Sequence, residues 1–320
     1  MLEADKPTVA AAPRRLFAFA AVAGAVVLFL AVGLTGLYRY VDSYWLYRGF
    51  PPPHDPAFVR EQGTLQTIHV ASPAIGGRSQ EVIVYLPPGY DPTGTRRYPV
   101  LYLLHGFPGD PEGFVRTVRV GVVEDTLLAQ HQMKPMIIAM PMGSTGIFTD
   151  EEWANGIHRD SGWETFLARD VVRAVERQFR TIPRAAGRAL GGLSEGGYAS
   201  LNIGLHHPSE FRVLESWSGY EKAANVKSIF GGRRELLAHN SPLHTLPRVA
   251  GRLRRGHAFV WFYTGGADRD RRQNERFAAE LSKFRVRHTF FVSDGGHTWR
   301  IWRDNAWAAI EVASAHLVHG

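Results

Sequence analysis

Residues 188–197 read RALGGLSEGG, where a short apolar run leads into Gly192-Leu193-Ser194-Glu195-Gly196 and then into an amphipathic segment. A serine that acts as a nucleophile must project from a sharp turn between a strand and a helix. Glycines on both sides let the backbone pack there without a Cβ clash. The pattern G-x-S-x-G in this setting predicts that Ser194 is a nucleophile. The alternative interpretation is a serine that only caps the helix in a glycine-rich turn.

On both sides of this turn, short β-rich apolar runs alternate with longer amphipathic stretches. Strands are predicted at 64–70, 81–86, 98–104, 136–140, 188–192, 212–217, 258–264 and 286–292. Helices are predicted at 120–131, 163–180, 196–207, 270–284 and 299–317. The alternation, with unbroken apolar strands in the centre, is typical of an α/β fold with a mostly parallel sheet and helices on both faces. Two long segments, 141–162 and 218–256, are predicted to be irregular and to lie beside the functional site.

A nucleophilic serine needs a base, and an acid must hold that base in place. In the chain order serine, acid, histidine, the candidate base is His297, which directly follows the predicted strand 286–292. The candidate acid is Asp268, four residues past the predicted strand 258–264. Asp270, two residues later, is the competing candidate, and the sequence favours Asp268.

The negative charge that forms on an attacked carbonyl oxygen needs preorganised N–H donors. One donor is expected to be the backbone N–H of Glu195, the residue after the nucleophile. The other is expected to be the backbone N–H of Phe107, in the turn His105-Gly106-Phe107-Pro108-Gly109 that follows the predicted strand 98–104. For His105 itself, a structural role in this turn is favoured over a role as base or metal ligand.

The N-terminal part of the chain contains a long uncharged segment. Leu16 to Tyr38 are 23 consecutive residues without a charge, and a helix of that length spans the hydrocarbon core of a bilayer, which is about 30 Å thick. Arg14 and Arg15 favour a cytoplasmic N-terminus, with the rest of the chain outside a single-pass membrane anchor. The alternative is a cleaved signal peptide and a secreted domain. The predicted parts are a cytoplasmic segment (1–15), a transmembrane anchor (16–38), a juxtamembrane and proline-rich stalk (39–54) and an α/β catalytic domain (55–320).

The composition excludes several function classes. The 320 residues contain no cysteine, which removes disulfides, thiolate metal sites and cysteine nucleophiles. The formal net charge is +7, but the basic residues are spread among acids, so no nucleic-acid partner is expected. Neither H-E-x-x-H nor a phosphate-binding G-x-x-x-x-G-K-[ST] motif occurs, and we expect no metal and no cofactor.

Taken together, these segments resemble the esterase family of α/β hydrolases, which includes esterase D, feruloyl and acetyl-xylan esterases and the antigen 85 mycolyltransferases. The similarity covers about residues 65–315. It rests on the segments YLPPGY at 85–90, YPVLYLLHG at 98–106, WETFL at 163–167, RALGGLS at 188–194 and GGHTW at 295–299. The resemblance implies an α/β-hydrolase fold and a serine hydrolase or acyltransferase without a cofactor, with Ser194, Asp268 and His297 as nucleophile, acid and base.

Two residues depart from the family pattern. Many relatives have methionine after the nucleophile, where this chain has Glu195, and many have aspartate after the histidine, where this chain has Thr298. If the Glu195 carboxylate faced the pocket, it would oppose the forming oxyanion. We therefore expect the Glu195 side chain to turn away and form a salt bridge.

The leading hypothesis is a membrane-anchored, extracytoplasmic serine esterase that acts through an acyl-enzyme. Its substrate would be a small-molecule or envelope ester, such as an acylated sugar or a lipid ester. The first alternative is an acyltransferase that moves the acyl group to a sugar hydroxyl. The second is a non-catalytic envelope binding protein on a hydrolase scaffold. Four aromatic residues are candidate stacking surfaces for a substrate: Phe148, Trp153, Trp163 and Trp217.

Overall fold

The computed structural model describes residues 12–320, so residues 1–11 of the predicted cytoplasmic segment lie outside the described residues. The described chain divides into two compact units at Pro51–Pro52. The first unit contains helix α1 (Ala12–Tyr40), which continues into a π-helical turn (Val41–Leu46). In this unit, the span Phe17–Leu46 contains an 18-residue window with a mean hydropathy of 2.6 and no buried residue, so the span is long and apolar enough to cross a membrane.

The second unit is built on one sheet of eight strands. The strands are β1 (Thr64–Ala71), β2 (Ser79–Leu86), β3 (Val100–Leu104), β4 (Ile137–Pro141), β5 (Arg188–Gly192), β6 (Val213–Trp217), β7 (Phe259–Gly265) and β8 (Arg287–Ser293). Their order across the sheet is β1-β2-β4-β3-β5-β6-β7-β8. β1 and β2 pair antiparallel, β2 also pairs antiparallel with β4, and the strands from β4 to β8 are parallel. The prediction of a mostly parallel α/β sheet is confirmed.

The helices of this unit surround the sheet. They are α2 (Val120–Ala129), α3 (Trp163–Thr165), α4 (Val172–Gln178), α5 (Glu195–His206), α6 (Lys227–Phe230), α7 (Arg234–His239), α8 (Pro242–Arg255), α9 (Arg271–Lys283) and α10 (Trp299–His316). A π-helical turn, Phe166–Val171, joins α3 to α4, so this helix contains a local widening that the sequence pattern did not predict. All eight predicted strands and five predicted helices are present, with bounds shifted by no more than two residues.

The prediction that 218–256 is irregular is wrong, because this segment contains α6, α7 and α8. In α8, Leu246, Val249, Ala250 and Leu253 are buried at helical spacing, while arginines occupy the exposed face. Pro242 takes the first helical position, where no N–H is needed. Burial of the apolar face outweighs the hydrogen bond that Pro247 removes inside the helix. The other predicted irregular segment, 141–162, contains no helix and only one isolated β-bridge beyond the end of β4.

Two apolar clusters pack on the two faces of the sheet. Tyr102 and Leu104 of β3 belong to one cluster, together with residues of α4, α5, α8 and α9. Leu101 and Leu103 of the same strand belong to the other, with residues of α2 and α10. Successive side chains of a strand point to opposite faces, so an unbroken apolar strand serves both clusters. Because the central strands are parallel, their carboxyl ends meet at one edge of the sheet, where sites of such folds lie.

Candidate active site

Ser194 lies at the turn between β5 and α5, where the backbone is strongly constrained. Its φ of 55° is in the left-handed region, which is costly for a residue other than glycine. A Cβ atom on Gly196 would lie 1.9 Å from the carbonyl oxygen of Leu104, and one on Gly192 would lie 2.5 Å from the backbone of Gly196. The two glycines of G-x-S-x-G are thus required so that this turn can pack against β3, and the packing projects Ser194 beyond the strand end.

The structure brings Ser194, His297 and Asp268 together. The Ser194 Oγ and His297 Nε2 atoms are 2.8 Å apart, and His297 Nδ1 is 2.8 Å from Asp268 Oδ2. His297 follows β8 and Asp268 follows β7, so both come from carboxyl ends of parallel strands, as Ser194 does. Among the described residues, Asp270 forms no hydrogen bond or ion pair with His297; its backbone N–H donates to Asp268 Oδ1 at 3.0 Å, and its carboxylate accepts from Gln273 and pairs with Arg269.

The environment of Asp268 favours its charged form. Its side chain is fully buried, and burial raises its pKa. The hydrogen bond from His297 and that from the Asp270 N–H outweigh burial, so the pKa of Asp268 is lowered from its ordinary value. A carboxylate held in this state fixes the His297 ring with Nε2 directed at Ser194, and it stabilises the positive charge that the ring acquires when it takes the serine proton.

One residue of this arrangement was missed by sequence reasoning. Trp302, on α10, meets the His297 ring edge-on, with 5.1 Å between the ring centroids. Its indole N–H donates to the carbonyl oxygen of Trp217 at 3.1 Å, which holds the indole in place. Trp302 thereby limits the orientations that the imidazole can take. Its position five residues after His297 carried no signal of its own, since it also fits the apolar face of a helix.

The turn after β3 lies directly against Ser194. A Cβ atom on Gly106 would be 2.9 Å from the Ser194 Cβ, so the chain passes as close to the serine as its backbone permits. Within the described part of the chain, the backbone N–H groups of Phe107 and Glu195 donate no hydrogen bond. They are therefore available to an acceptor beside Ser194.

His105 is buried and fixed within this turn. The Gly143 N–H donates to its Nε2 at 3.0 Å, so Nδ1 carries the proton and donates to the carbonyl oxygen of Gly106 at 3.0 Å. Burial lowers its pKa, which keeps the ring neutral. Trp153 packs against this ring at 5.1 Å and donates its indole N–H to the His105 carbonyl oxygen. These contacts hold the His105 side chain in place, which agrees with a structural role.

A cavity of about 420 Å³ opens beside Ser194. Its wall includes Phe107, Asp150, Glu152, Glu195, Tyr220 and Asp270. Of the four residues predicted as stacking surfaces, Trp153, Trp163 and Trp217 are buried in the core, and Phe148 is exposed. The prediction is wrong for the three tryptophans, because large aromatic side chains contribute most when they are fully buried.

The expectation that Glu195 turns away into a salt bridge is also wrong. Its side chain is buried in the wall of the cavity, and no lysine or arginine among the described residues forms an ion pair with it. Burial, followed by the charges of Glu152, Asp150 and Glu151, raises its pKa well above the ordinary value. The segment 150–152 comes from a long loop, and no pattern in the sequence indicates that these acids meet Glu195.

Another carboxyl group, Glu164, shows the opposite behaviour. It is buried and bonded to His206 Nδ1 at 3.0 Å and to His207 Nε2 at 2.9 Å. Burial raises its pKa, but the two histidines more than compensate and lower it to about 2. Across residues 12–320, the structure contains no group of three or more His, Asp or Glu side chains arranged to hold a metal ion.

The sequence is similar to those of known esterases and acyltransferases. The chain is 32% identical to an endo-1,4-beta-xylanase/feruloyl esterase of Xylanibacter ruminicola over 154 residues, which is 45% of this chain and 20% of that protein. It is 25% identical over 177 residues to the diacylglycerol acyltransferase/mycolyltransferase Ag85A of Mycobacterium leprae, which is 53% of this chain and 48% of that protein. The chain spans 20 to 60% of the length of the curated relatives that it matches.

A solved structure of a ferulic acid esterase superposes with a TM-score of 0.71 at 22% identity, covering 81% of this chain and 100% of that one. The likeness concerns the fold, and it confirms the predicted α/β-hydrolase fold. The family model described as "Putative esterase" matches residues 72–309, which include the serine turn and the loops after β3, β7 and β8. The chain therefore belongs to this esterase family.

Proposed function

We propose that this chain is a serine esterase in which Ser194, His297 and Asp268 form the catalytic triad. The observation that carries the proposal is the continuous pair of 2.8 Å contacts from Ser194 Oγ through the His297 ring to Asp268. Membership in the esterase family and the similarity to a feruloyl esterase support hydrolysis of a carboxylic ester as the reaction.

In the first half of the reaction, His297 Nε2 accepts the Ser194 hydroxyl proton while Oγ attacks the ester carbonyl carbon. The carbonyl oxygen becomes an oxyanion, to which the N–H groups of Phe107 and Glu195 donate. The C–O bond to the alcohol then breaks, and the alcohol leaves with the proton from His297. An ester between Ser194 and the acyl group remains.

In the second half, His297 takes a proton from water, and the resulting hydroxide attacks the acyl-enzyme carbonyl. The oxyanion forms again at the same N–H groups. When it collapses, the bond to Ser194 Oγ breaks, His297 returns its proton to the serine, and the carboxylic acid is released. Asp268 stays ionised throughout, which agrees with its lowered pKa.

The test of this proposal is labelling of the full chain, in an uncharged detergent, with a fluorophosphonate probe. The phosphorus of the probe is attacked by an activated serine, so wild type should be labelled at Ser194 and Ser194→Ala should not. If wild type is not labelled, or if both proteins are labelled equally, the chain is not a serine hydrolase. A non-catalytic binding protein on this scaffold would then be the better description.

A second reaction, acyl transfer, is favoured by the similarity to the mycolyltransferase of Mycobacterium leprae. The first half of the reaction would be the same, and a sugar hydroxyl would replace water in the second. Products formed from one ester with and without a sugar acceptor separate the two. Exclusive formation of the free acid, at any acceptor concentration, would exclude transferase activity.

We also propose that α1 anchors the protein in a membrane, with the esterase domain on the extracytoplasmic side. The length and apolar surface of Phe17–Leu46 support anchoring, and Arg14 and Arg15 support the orientation. An anchored chain should stay with membranes after alkaline carbonate washing, and protease added from outside should degrade the domain in whole cells. A soluble product that begins after the apolar helix would instead indicate signal-peptide cleavage.

A further inference from the structure

The cavity beside Ser194 has an unusual distribution of charge. Its buried wall contains the carboxyl groups of Glu152 and Glu195, which are 3% and 7% exposed. The two basic residues that also line it, Lys222 and Arg269, are exposed, and Arg269 is paired with Asp270. Acidic groups thus occupy the interior of the cavity, and basic groups lie at its mouth.

Glu152 is held in place by its surroundings. Its backbone has a φ of 50°, in the left-handed region, and its carboxyl oxygen Oε2 accepts a hydrogen bond from Tyr220 Oη at 2.7 Å. The Tyr220 ring is in turn stacked on Tyr198 of α5, with 4.6 Å between centroids. A carboxyl group fixed in this way cannot turn out to solvent to recover its hydration.

Burying carboxyl groups without cations is unfavourable, and the pKa values reflect this. Burial raises the pKa of Glu152 to about 8 and that of Glu195 well above its ordinary value. The groups that interact most strongly with the pair are acids and tyrosines: Asp150 and Glu151 on the same loop, Tyr198 on α5 and Tyr220 after β6. The same cavity is also lined by Asp270 and by the exposed Lys222 and Arg269. No described lysine or arginine forms an ion pair with either carboxyl group.

We propose that this cavity binds a positively charged group, an ammonium ion, next to Ser194. The proposal rests on the proposed function only in taking Ser194 as the point where the ester reacts. An ammonium group supplies the counter-charge that Glu152 and Glu195 lack. The aromatic side chains of Tyr220 and Phe107 line the same cavity, and aromatic rings attract cations. A neutral hydroxyl-bearing group could be held by amides or hydroxyls, without the cost of burying two acids.

A matched pair of ligands tests this directly. Choline and 3,3-dimethylbutan-1-ol have nearly the same shape and differ in charge. Ligand-observed NMR titrations would measure both dissociation constants with the full chain in an uncharged detergent, with empty micelles as the blank. At pH 9, where Glu152 is ionised, choline should bind about tenfold more tightly than the alcohol or better. At pH 6 this preference should shrink, because Glu152, whose pKa is raised to about 8, is then protonated.

Two isosteric variants locate the effect. Glu152→Gln and Glu195→Gln should each reduce the preference for choline at pH 9, and the double variant should abolish it. Glu280→Gln, which changes a carboxylate bonded to Lys283 on α9, should retain it. If a variant does not fold, the comparison of choline binding by wild type at pH 9 and pH 6 still tests the proposal.

Equal binding of choline and the alcohol at pH 9, or a preference that the double variant retains, would overturn the proposal. Tighter binding of glycerol than of choline would do so too and would indicate a hydroxyl-binding cavity. Choline binding requires no turnover, so the two proposals can fail separately. If wild type prefers choline but is not labelled by the fluorophosphonate, the proposed esterase function is contradicted and the cation-binding proposal stands.

Discussion

Asp268 and Glu164 on one side, and Glu152 and Glu195 on the other, are buried carboxyl groups of the same domain with opposite properties. Asp268 and Glu164 are bonded to histidines, and their pKa values are lowered. Glu152 and Glu195 have no such partner, and their pKa values are raised. Burial raises the pKa in all four, so the partner decides the charge state. A carboxylate that must stay ionised is therefore bonded to an imidazole, whereas Glu152 and Glu195 form no ion pair with a lysine or arginine among the described residues.

The largest expected effect comes from the paired carboxylate at the site. Asp268→Asn should lower kcat/KM for ester hydrolysis on the order of 10³-fold or more, because an amide cannot stabilise the imidazolium and favours the wrong ring tautomer. Asp270→Asn is the matched control, and it should lower kcat/KM by less than about tenfold. Steady-state kinetics on one chromogenic ester decide the matter. A larger loss in Asp270→Asn than in Asp268→Asn would show that the acid has been misassigned.

The second prediction concerns the other paired carboxylate. Because the pKa of Glu164 is lowered to about 2, its pairing with His206 and His207 stabilises the fold above pH 4.5, and this stabilisation is lost as the pH falls toward 2. Glu164→Gln should therefore lower the free energy of unfolding at neutral pH by about 2–3 kcal/mol. The thermal midpoint should fall by several degrees at pH 7 and by less near pH 3. An unchanged midpoint at pH 7 would mean that the histidines contribute nothing.

The third prediction concerns Glu152 and the pH dependence of kcat/KM. Glu152 is neutral below pH about 8 and ionised above it, and its charge would then oppose the oxyanion beside Ser194. For an uncharged ester, kcat/KM should decline by about tenfold as the pH rises through this range. Glu152→Gln should remove that decline. A pH profile that keeps the same alkaline decline in the variant would assign it to another group.

The smallest expected effect is a gain in stability. The raised pKa of Glu195 means that its contribution to stability is fully present below its ordinary pKa of 4.5 and is lost as the pH rises above it. Glu195→Gln removes this loss, so its thermal midpoint should exceed that of wild type by a few degrees at pH 8 and match it near pH 4.5. A variant that is less stable than wild type at pH 8 would show that the Glu195 carboxylate has a stabilising partner.

The sequence was sufficient for most of the framework. Apolar runs and helical periodicity located the strands and the main helices, because the sheet buries its central strands on both faces. The helix α8 was not predicted, although Leu246, Val249 and Leu253 have helical spacing, and Pro247 lies inside it. Burial of this apolar face stabilises the helix by more than the low helix propensity of proline destabilises it.

For the site, sequence order and strand ends were sufficient to select the residues that the structure brings to Ser194. The environment of Glu195 could not be predicted, because it depends on Asp150, Glu151 and Glu152. These residues belong to an irregular loop whose path is set by tertiary contacts such as the burial of Trp153. Charges that meet from distant loops leave no periodic pattern in a sequence.

The most direct test of the central claim, that Ser194 becomes acylated with the help of His297, is mass spectrometry of the protein quenched within milliseconds of mixing with 4-nitrophenyl acetate. The peptide containing Ser194 should carry one acetyl group in wild type, at a level that His297→Ala reduces by orders of magnitude and Ser194→Ala abolishes. An acetyl group found on another residue, or on Ser194 at an undiminished rate in His297→Ala, would contradict the account.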